Sequence, residues 1–291
     1  MAFEKLYAIK DADHQLVHAS NICAKLNQKA NGELSQKQSV AIDDIATKYL
    51  SYIDAQLKIT GFSSKNIRQR VDLLNNYYNF LFGKGYDNIF SSQGKLRPTI
   101  LEEFMYLVFR DVVEDLKTYA NDTDNVLKLG SVKAYSNLYF KSDDIKSFIN
   151  DIKTGVNVKD QDFAIYREMG LTINNGDSET VNLPIISIEV KTYIDKTMLE
   201  GAIATAEKIK SGNPYSKFFV VSENYEVDLK VDPAYSRIDQ IFVLRKSKRK
   251  VQPRIDIQAD VVELLVTEVH DYLKRKWGDI ETKLTTKGII I

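Results

Sequence analysis

The stretch from Pro184 to Val221 constrains the fold of this chain more than any other. It opens on Pro184-Ile-Ile-Ser-Ile-Glu-Val-Lys191, five apolar residues and a serine carrying one carboxylate and one amine, which reads as a buried strand. Thr197-Met-Leu-Glu200 follows with the spacing of a capping box. The helix it opens places Met198, Leu199, Ala202, Ile203, Ala206 and Ile209 on one face. Gly212 and Pro214 end that helix. Lys217-Phe-Phe-Val-Val221 is a second strand of the buried type, and Gln240-Ile-Phe-Val-Leu244 a third. Strand, helix, strand, loop and strand in that order read as a crossover unit on a mixed sheet. The expected class is α/β with an α+β tendency, a mixed central sheet with flanking helices.

Upstream the pattern is helical. From Ser35 to Leu57, Val40, Ile42, Ile45, Ala46, Tyr49, Leu50 and Ile53 recur close to helical period. From Ser64 the stripe is Ile67, Val71, Leu74, Tyr78 and Leu81, until Gly83 and Gly85 stop it. Ser91-Ser-Gln-Gly94 is a turn or loop with Pro98 close behind, which divides the chain into a helical region, residues 1–95, and a core, residues 96–291. Thr99-Ile-Leu-Glu102 is another capping-box pattern, with a helix running on to Tyr119. On its wheel Glu103 joins Arg110, Glu114 and Lys117 on the polar stripe. Glu102 falls beside Tyr106, Phe109 and Val113 on the packed side, so it is either a cap or a site residue. Residues 121–159 are polar and Lys-rich, with a strand at Ser136–Phe140 and a helix from Ser142 to Ile149. Asp162-Phe-Ala-Ile-Tyr166 reads as a strand, and Asn174-Asn-Gly-Asp177 as a hairpin turn into the strand that ends at Val190. A last helix is expected over Asp256–Trp277.

Composition removes several function classes. Lys plus Arg equals Asp plus Glu, 40 against 40, so net charge points to no nucleic-acid or membrane partner, and any such pointer must come from local clustering. Cys23 is the only cysteine, which excludes an internal disulfide and a cysteine zinc site. His14 and His18 have helical spacing but lack further ligands nearby, so they read as surface or packing residues. The N-terminus carries charges where a signal peptide has an apolar core, and no apolar run approaches the roughly 20 residues that span a bilayer. The expectation is a cytoplasmic protein without a membrane partner.

The chemistry gathers at the end of the 184–191 run. Alternate residues of a strand share a face, so Glu189 and Lys191 emerge side by side. A charged pair ending an otherwise buried strand costs desolvation unless something compensates, and a divalent metal with a phosphate would do so. The spacing alone says little: Asp/Glu-x-Lys also occurs at Asp115, Asp144, Asp151, Asp228 and Glu281. Only Glu189-Val-Lys191 ends an apolar strand and leads into an amphipathic helix and another apolar strand. The competing reading is a surface ion pair, worth under about 1 kcal/mol, which rarely ends so apolar a strand. Asp162 opens a strand upstream at a distance that a hairpin would span. Over roughly Thr99 to Leu244 this arrangement resembles the PD-(D/E)XK nuclease superfamily, and within it the type II restriction endonucleases. One departure is that Gln161, not proline, precedes Asp162, which leaves Asp160 as a rival for its role.

The resemblance implies a restriction-endonuclease-like core and Mg²⁺-dependent hydrolysis of double-stranded DNA to 5′-phosphate and 3′-hydroxyl ends. Asp162 and Glu189 would hold the metal with the Val190 carbonyl, since Mg²⁺ prefers such oxygens. Lys191 would position or deprotonate the attacking water and neutralise charge on phosphorus. Glu102 would join the catalytic set through a second metal. The resemblance also implies a cognate DNA methyltransferase and a dimer, either a homodimer on a palindromic target or a pair of different subunits on an asymmetric one. The basic run Arg245-Lys-Ser-Lys-Arg-Lys250 reads as a solvated loop or, through Lys246, Lys248 and Arg249, as a phosphate contact. A structure-specific or repair nuclease of the same superfamily and a non-catalytic helical DNA-binding or interaction module are the alternatives.

Overall fold

Four helices precede the sheet: α1 (Glu4–Ala12), α2 (Val17–Ala30), α3 (Gln36–Lys58) and α4 (Ser64–Gly83). The computed structural model describes residues 3–90, 96–150, 152–172, 178–278 and 280–288. Ser35 caps α3 through the Gln38 amide, in a complete capping box, and Ser63 caps α4 through Asn66. The expected 91–94 turn and 174–177 hairpin turn lie outside the described residues.

A fifth helix, α5 (Pro98–Ala120), leads into the sheet. Strands β1 (Leu127–Lys141), β2 (Lys153–Leu171) and β3 (Glu179–Lys191) follow, with the short helix α6 (Ile145–Asn150) between the first two. Helix α7 (Lys196–Gly212) then crosses to β4 (Lys217–Ser222) and β5 (Gln240–Val243), before α8 (Ala259–Lys274) and α9 (Ile280–Lys287). The sheet order is β1-β2-β3-β4-β5. Its first half is antiparallel and its second half, built on the α7 crossover, parallel, so the mixed sheet expected from the sequence is present.

Alternation along the strands sorts side chains between two layers. Phe163, Ile165, Ile186, Ile188, Val190, Phe219 and Val221 join one continuous apolar cluster with α2, α3, α4, α5 and α8. Phe109 of α5 stacks on Phe163 with ring centroids 5.3 Å apart. Phe218 and Val220 face the other way, with Leu199, Ala202, Ala206 and Ile209 of α7 and Ala134 of β1. The helical stripes read from the sequence lie mostly on these buried faces, except that Val40, at the start of the α3 stripe, is exposed.

Several local expectations need correction. Arg97, not Thr99, is the N-cap of α5. Pro98 takes the first helical position, for which its fixed φ suits it. Thr99 is buried, and its hydroxyl bonds Leu96 O and His18 Nδ1. Asp195, not Thr197, caps α7 by accepting from the Met198 N–H at 2.9 Å. Aspartate caps at least as well as threonine, and the Glu that made Thr197 look like a capping box instead stands 3.9 Å from Lys196. The wheel also misplaced Glu103, which is 1% exposed. Its carboxylate accepts from the His18 and Ala19 amides and the Tyr49 hydroxyl, so it serves the N-terminus of α2 from inside the core. Strands β1 and β2 extend well beyond Ser136–Phe140 and Asp162–Tyr166, as a hairpin whose outer reaches are largely exposed and therefore carry no core pattern.

Candidate active site

The β2–β3 ladder ends at Phe163 opposite Ile188. Beyond it β2 continues paired only with β1, so the strands part at Asp162. There a side chain takes over from backbone: Asp162 Oδ2 accepts from the Val190 N–H at 2.8 Å. A strand residue directs its N–H and C=O to the same edge, so the Val190 carbonyl also leaves toward Asp162. Glu189 and Lys191 share the face that Val220 and Ser222 present from β4, under α7.

These three side chains meet. Lys191 Nζ lies 2.9 Å from Glu189 Oε1 and 3.5 Å from Asp162 Oδ2. Side-chain exposures of 32% for Asp162, 19% for Glu189 and 29% for Lys191 leave the cluster open to solvent. Burial pushes the Lys191 ammonium down in pKa, but the Asp162 and Glu189 carboxylates more than offset it, and the net shift is upward. Lys191 is therefore a cation around neutral pH.

The surrounding pocket, about 220 Å³, is lined by Lys159, Asp160, Gln161, Asp162, Glu189, Lys191 and Thr205. Asp160 thus shares the pocket with Asp162, as strand alternation requires, but the contacts to Val190 and Lys191 belong to Asp162. Gln161, where the resemblance expects a proline, is buried and bonds the Asp160 carbonyl through its side-chain amide. Sequence reasoning missed Lys159, Gln161 and Thr205. Alternation from Asp162 points to Asp160 and not to the odd-numbered Lys159 or Gln161, which reach the pocket as its sequence neighbours, and Thr205 is placed only by the packing of α7.

Glu102 does not line the pocket. Its helix, α5, packs on the opposite face of the sheet, which separates it from Asp162 and Glu189. Among the described residues no group of three or more His, Cys, Asp or Glu side chains is placed to hold a metal ion. The donors at Asp162 and Glu189 are two carboxylates with a neighbouring carbonyl. That set fits Mg²⁺, which binds through one or two carboxylates and keeps water and substrate oxygens in its remaining positions.

The basic run is less uniform than its sequence. Arg245 is buried and bonded to Glu223. Lys246 pairs with Asp260. Lys248 and Arg249 are exposed, and the Arg249 guanidinium lies 4.5 Å from the ring of Tyr193, two residues past Lys191. The run therefore reaches the same edge of the sheet as the pocket.

The profile of the Bpu10I restriction endonuclease family matches residues 93–257, more than half of the 291 residues. No curated protein matches the chain by sequence. Among solved structures, a chain of one described as "native BbvCI A2B2 tetramer at low resolution" is similar in fold, with a TM-score of 0.68 and 19% identity. The match covers 91% of this chain and 98% of that one.

Proposed function

The chain belongs to the Bpu10I restriction endonuclease family and is thus a type II site-specific deoxyribonuclease; from that premise we propose that Asp162, Glu189 and Lys191 carry its cleavage chemistry with Mg²⁺. The observation that carries this reading is one ammonium shared by two carboxylates, at the point where β2 parts from β3. Asp162 and Glu189 would hold the cation, with the Val190 carbonyl beside them. A bound cation of this kind polarises a phosphoryl oxygen and lowers the pKa of water. Lys191, beside both carboxylates, would neutralise charge that builds on the scissile phosphate and orient the attacking water. Hydrolysis then leaves a 5′-phosphate and a 3′-hydroxyl.

The substrate is double-stranded DNA, and Lys248 and Arg249, with Lys246 held back by Asp260, supply contacts to its backbone. Cutting both strands takes two such sites, so the chain works as a dimer. A homodimer suits a palindromic target. The A2B2 composition of the similar structure favours a second reading, in which a related but different subunit supplies the other site. A cognate methyltransferase would shield the cell's own targets. No described helix is long and apolar enough to cross a membrane, and the DNA substrate places the work in the cytoplasm.

The test is Lys191→Ala, assayed on unmethylated phage DNA with Mg²⁺ and by calorimetric titration of the metal. The expected result is loss of cleavage by roughly 10²-fold or more, with discrete bands from the unaltered chain. Full cleavage by Lys191→Ala would overturn the assignment. A smear from the unaltered chain would favour a structure-specific nuclease, and absence of metal binding at Asp162 and Glu189 a non-catalytic module.

A further inference from the structure

A second charged cluster, which the cleavage chemistry does not use, lies where β4 and β5 end. Glu223, directly after β4, is fully buried. Its Oε2 accepts from Arg245 Nε at 2.9 Å and from Arg254 Nη2 at 2.9 Å, and Arg97 Nη2 stands 3.6 Å away. Its Oε1 accepts from the Tyr78 hydroxyl at 3.1 Å. Three guanidinium groups facing one carboxylate leave two positive charges in surplus (3 − 1 = 2).

The stacked rings of Tyr78 and Phe82 offset part of that surplus. Arg254 lies 3.1 Å from the Phe82 centroid, Arg97 5.3 Å from it, and Arg245 5.2 Å from that of Tyr78. Ring faces do not satisfy in-plane N–H groups, however. Arg245 Nη2, Arg254 Nη1 and Arg97 Nε are each buried and lack a hydrogen-bond acceptor among the described residues. The Arg245 side chain is 1% exposed, so solvent does not serve it either. Donors in this condition cost more than a hydrogen bond merely exchanged with water, and buried charge without a partner costs more again. Burial, and then the like charge of Arg245, pull the Arg254 pKa down to about 10 against the attraction of Glu223.

The cluster opens outward, since the Arg97 and Arg254 side chains are 21% and 26% exposed. Asp87, which lies near Arg97, pairs with Asn88 and forms no ion pair with Arg97 among the described residues. We infer that Arg97, Arg245 and Arg254 bind a phosphate-type oxyanion, with Arg245 as the floor of the site and the other two at its mouth. Guanidinium forks match the oxygens of a tetrahedral oxyanion, and such an ion would supply both the missing acceptors and the missing charge. The site is one strand from the cleavage pocket: the Glu223 N–H donates to the Lys191 carbonyl at 3.1 Å. It faces the N-terminal helices, through Tyr78, whereas Lys191 faces α7. Two sources offer this chemistry, a backbone phosphate of duplex DNA and free inorganic phosphate.

The experiment uses the full chain without divalent metal, with Arg97→Gln and Arg254→Gln as variants at the exposed mouth. Thermal unfolding is followed against inorganic phosphate, with chloride at matched ionic strength as control. Duplex binding is followed by anisotropy against salt. A backbone phosphate in the site predicts that either variant lowers the slope of log affinity on log salt by about 0.9 and that phosphate competes with the duplex. Free phosphate in the site predicts a saturable rise in melting temperature that both variants lose, with the DNA slope unchanged. The inference is overturned if phosphate neither stabilises the unaltered chain nor competes, and both variants keep its salt slope. The phosphate titration on the unaltered chain decides this even if a variant folds poorly. Because both readouts are binding, a failed Lys191→Ala test leaves the inference standing.

Discussion

His18 and Glu103 are buried neighbours whose pKa values burial shifts in opposite directions. Burial holds the His18 imidazole down to about 3, and its ring bonds Thr99 and Tyr77. Burial raises the Glu103 carboxyl to about 7 despite the donors it accepts from. Between pH 4.5 and 6.5 folding releases a proton from His18 and takes one up on Glu103, so the two contributions to stability cancel. Replacing either unmasks the other. In Glu103→Gln only the depressed histidine remains, and stability falls as pH drops through this window. In His18→Gln only the raised carboxyl remains, and stability falls as pH rises. Each slope is at most about 1.4 kcal/mol per pH unit relative to the unaltered chain. Urea unfolding across the window checks this, and slopes of the same sign in both variants would sink it. At this scale the sequence was partly readable. Glu189 and Lys191 stood out because they end an apolar strand, and the structure joins both to Asp162. Glu103 escaped because a wheel shows which residues share a face, not that the N-terminus of α2 arrives on a polar one. The Glu223 cluster escaped for a similar reason, since its members come from positions 97, 223, 245 and 254.

Helix α7 decides how the pocket is walled, and two of its glycines test its seating. A Cβ on Gly212 would lie 2.0 Å from the Ser136 carbonyl oxygen of β1, whereas one on Gly201 meets nothing within 4 Å. The same substitution should therefore act in opposite directions within one helix. Gly201→Ala removes a helix-interior glycine and stabilises by roughly 0.5–1 kcal/mol. Gly212→Ala forces the helix away from β1, destabilises by about 1–3 kcal/mol, and disturbs the pocket that Thr205 lines. Denaturant midpoints separate the two, and a shared sign would show that α7 does not seat on β1 as described. The crossover was the most legible element, because its strands carry largely apolar runs, Pro184–Ile188 and Phe218–Val221, and its helix is amphipathic. The β1–β2 hairpin was least legible: an exposed ladder is held by backbone bonds that leave little trace in side-chain pattern.

Across the whole molecule, the C-terminal ends of the parallel strands β3, β4 and β5 form one edge. It carries Lys191, the Glu223 cluster and, through Arg249 over Tyr193, the end of the basic run. Neutralising Lys246, Lys248 and Arg249 together should weaken binding to all duplex sequences alike and lower its salt slope, by about 0.9 for each DNA phosphate that the run neutralises. Anisotropy across a salt series reads this directly, and an unchanged slope would count against a role for the run. Helices α2, α3 and α4 enter the same continuous cluster as β2, β3 and α8, so the edge rests on both ends of the chain. That shared core ties the pocket to distant parts of the chain: a piece released by proteolysis would lack part of the packing that sets Glu189 and Lys191 beside Asp162.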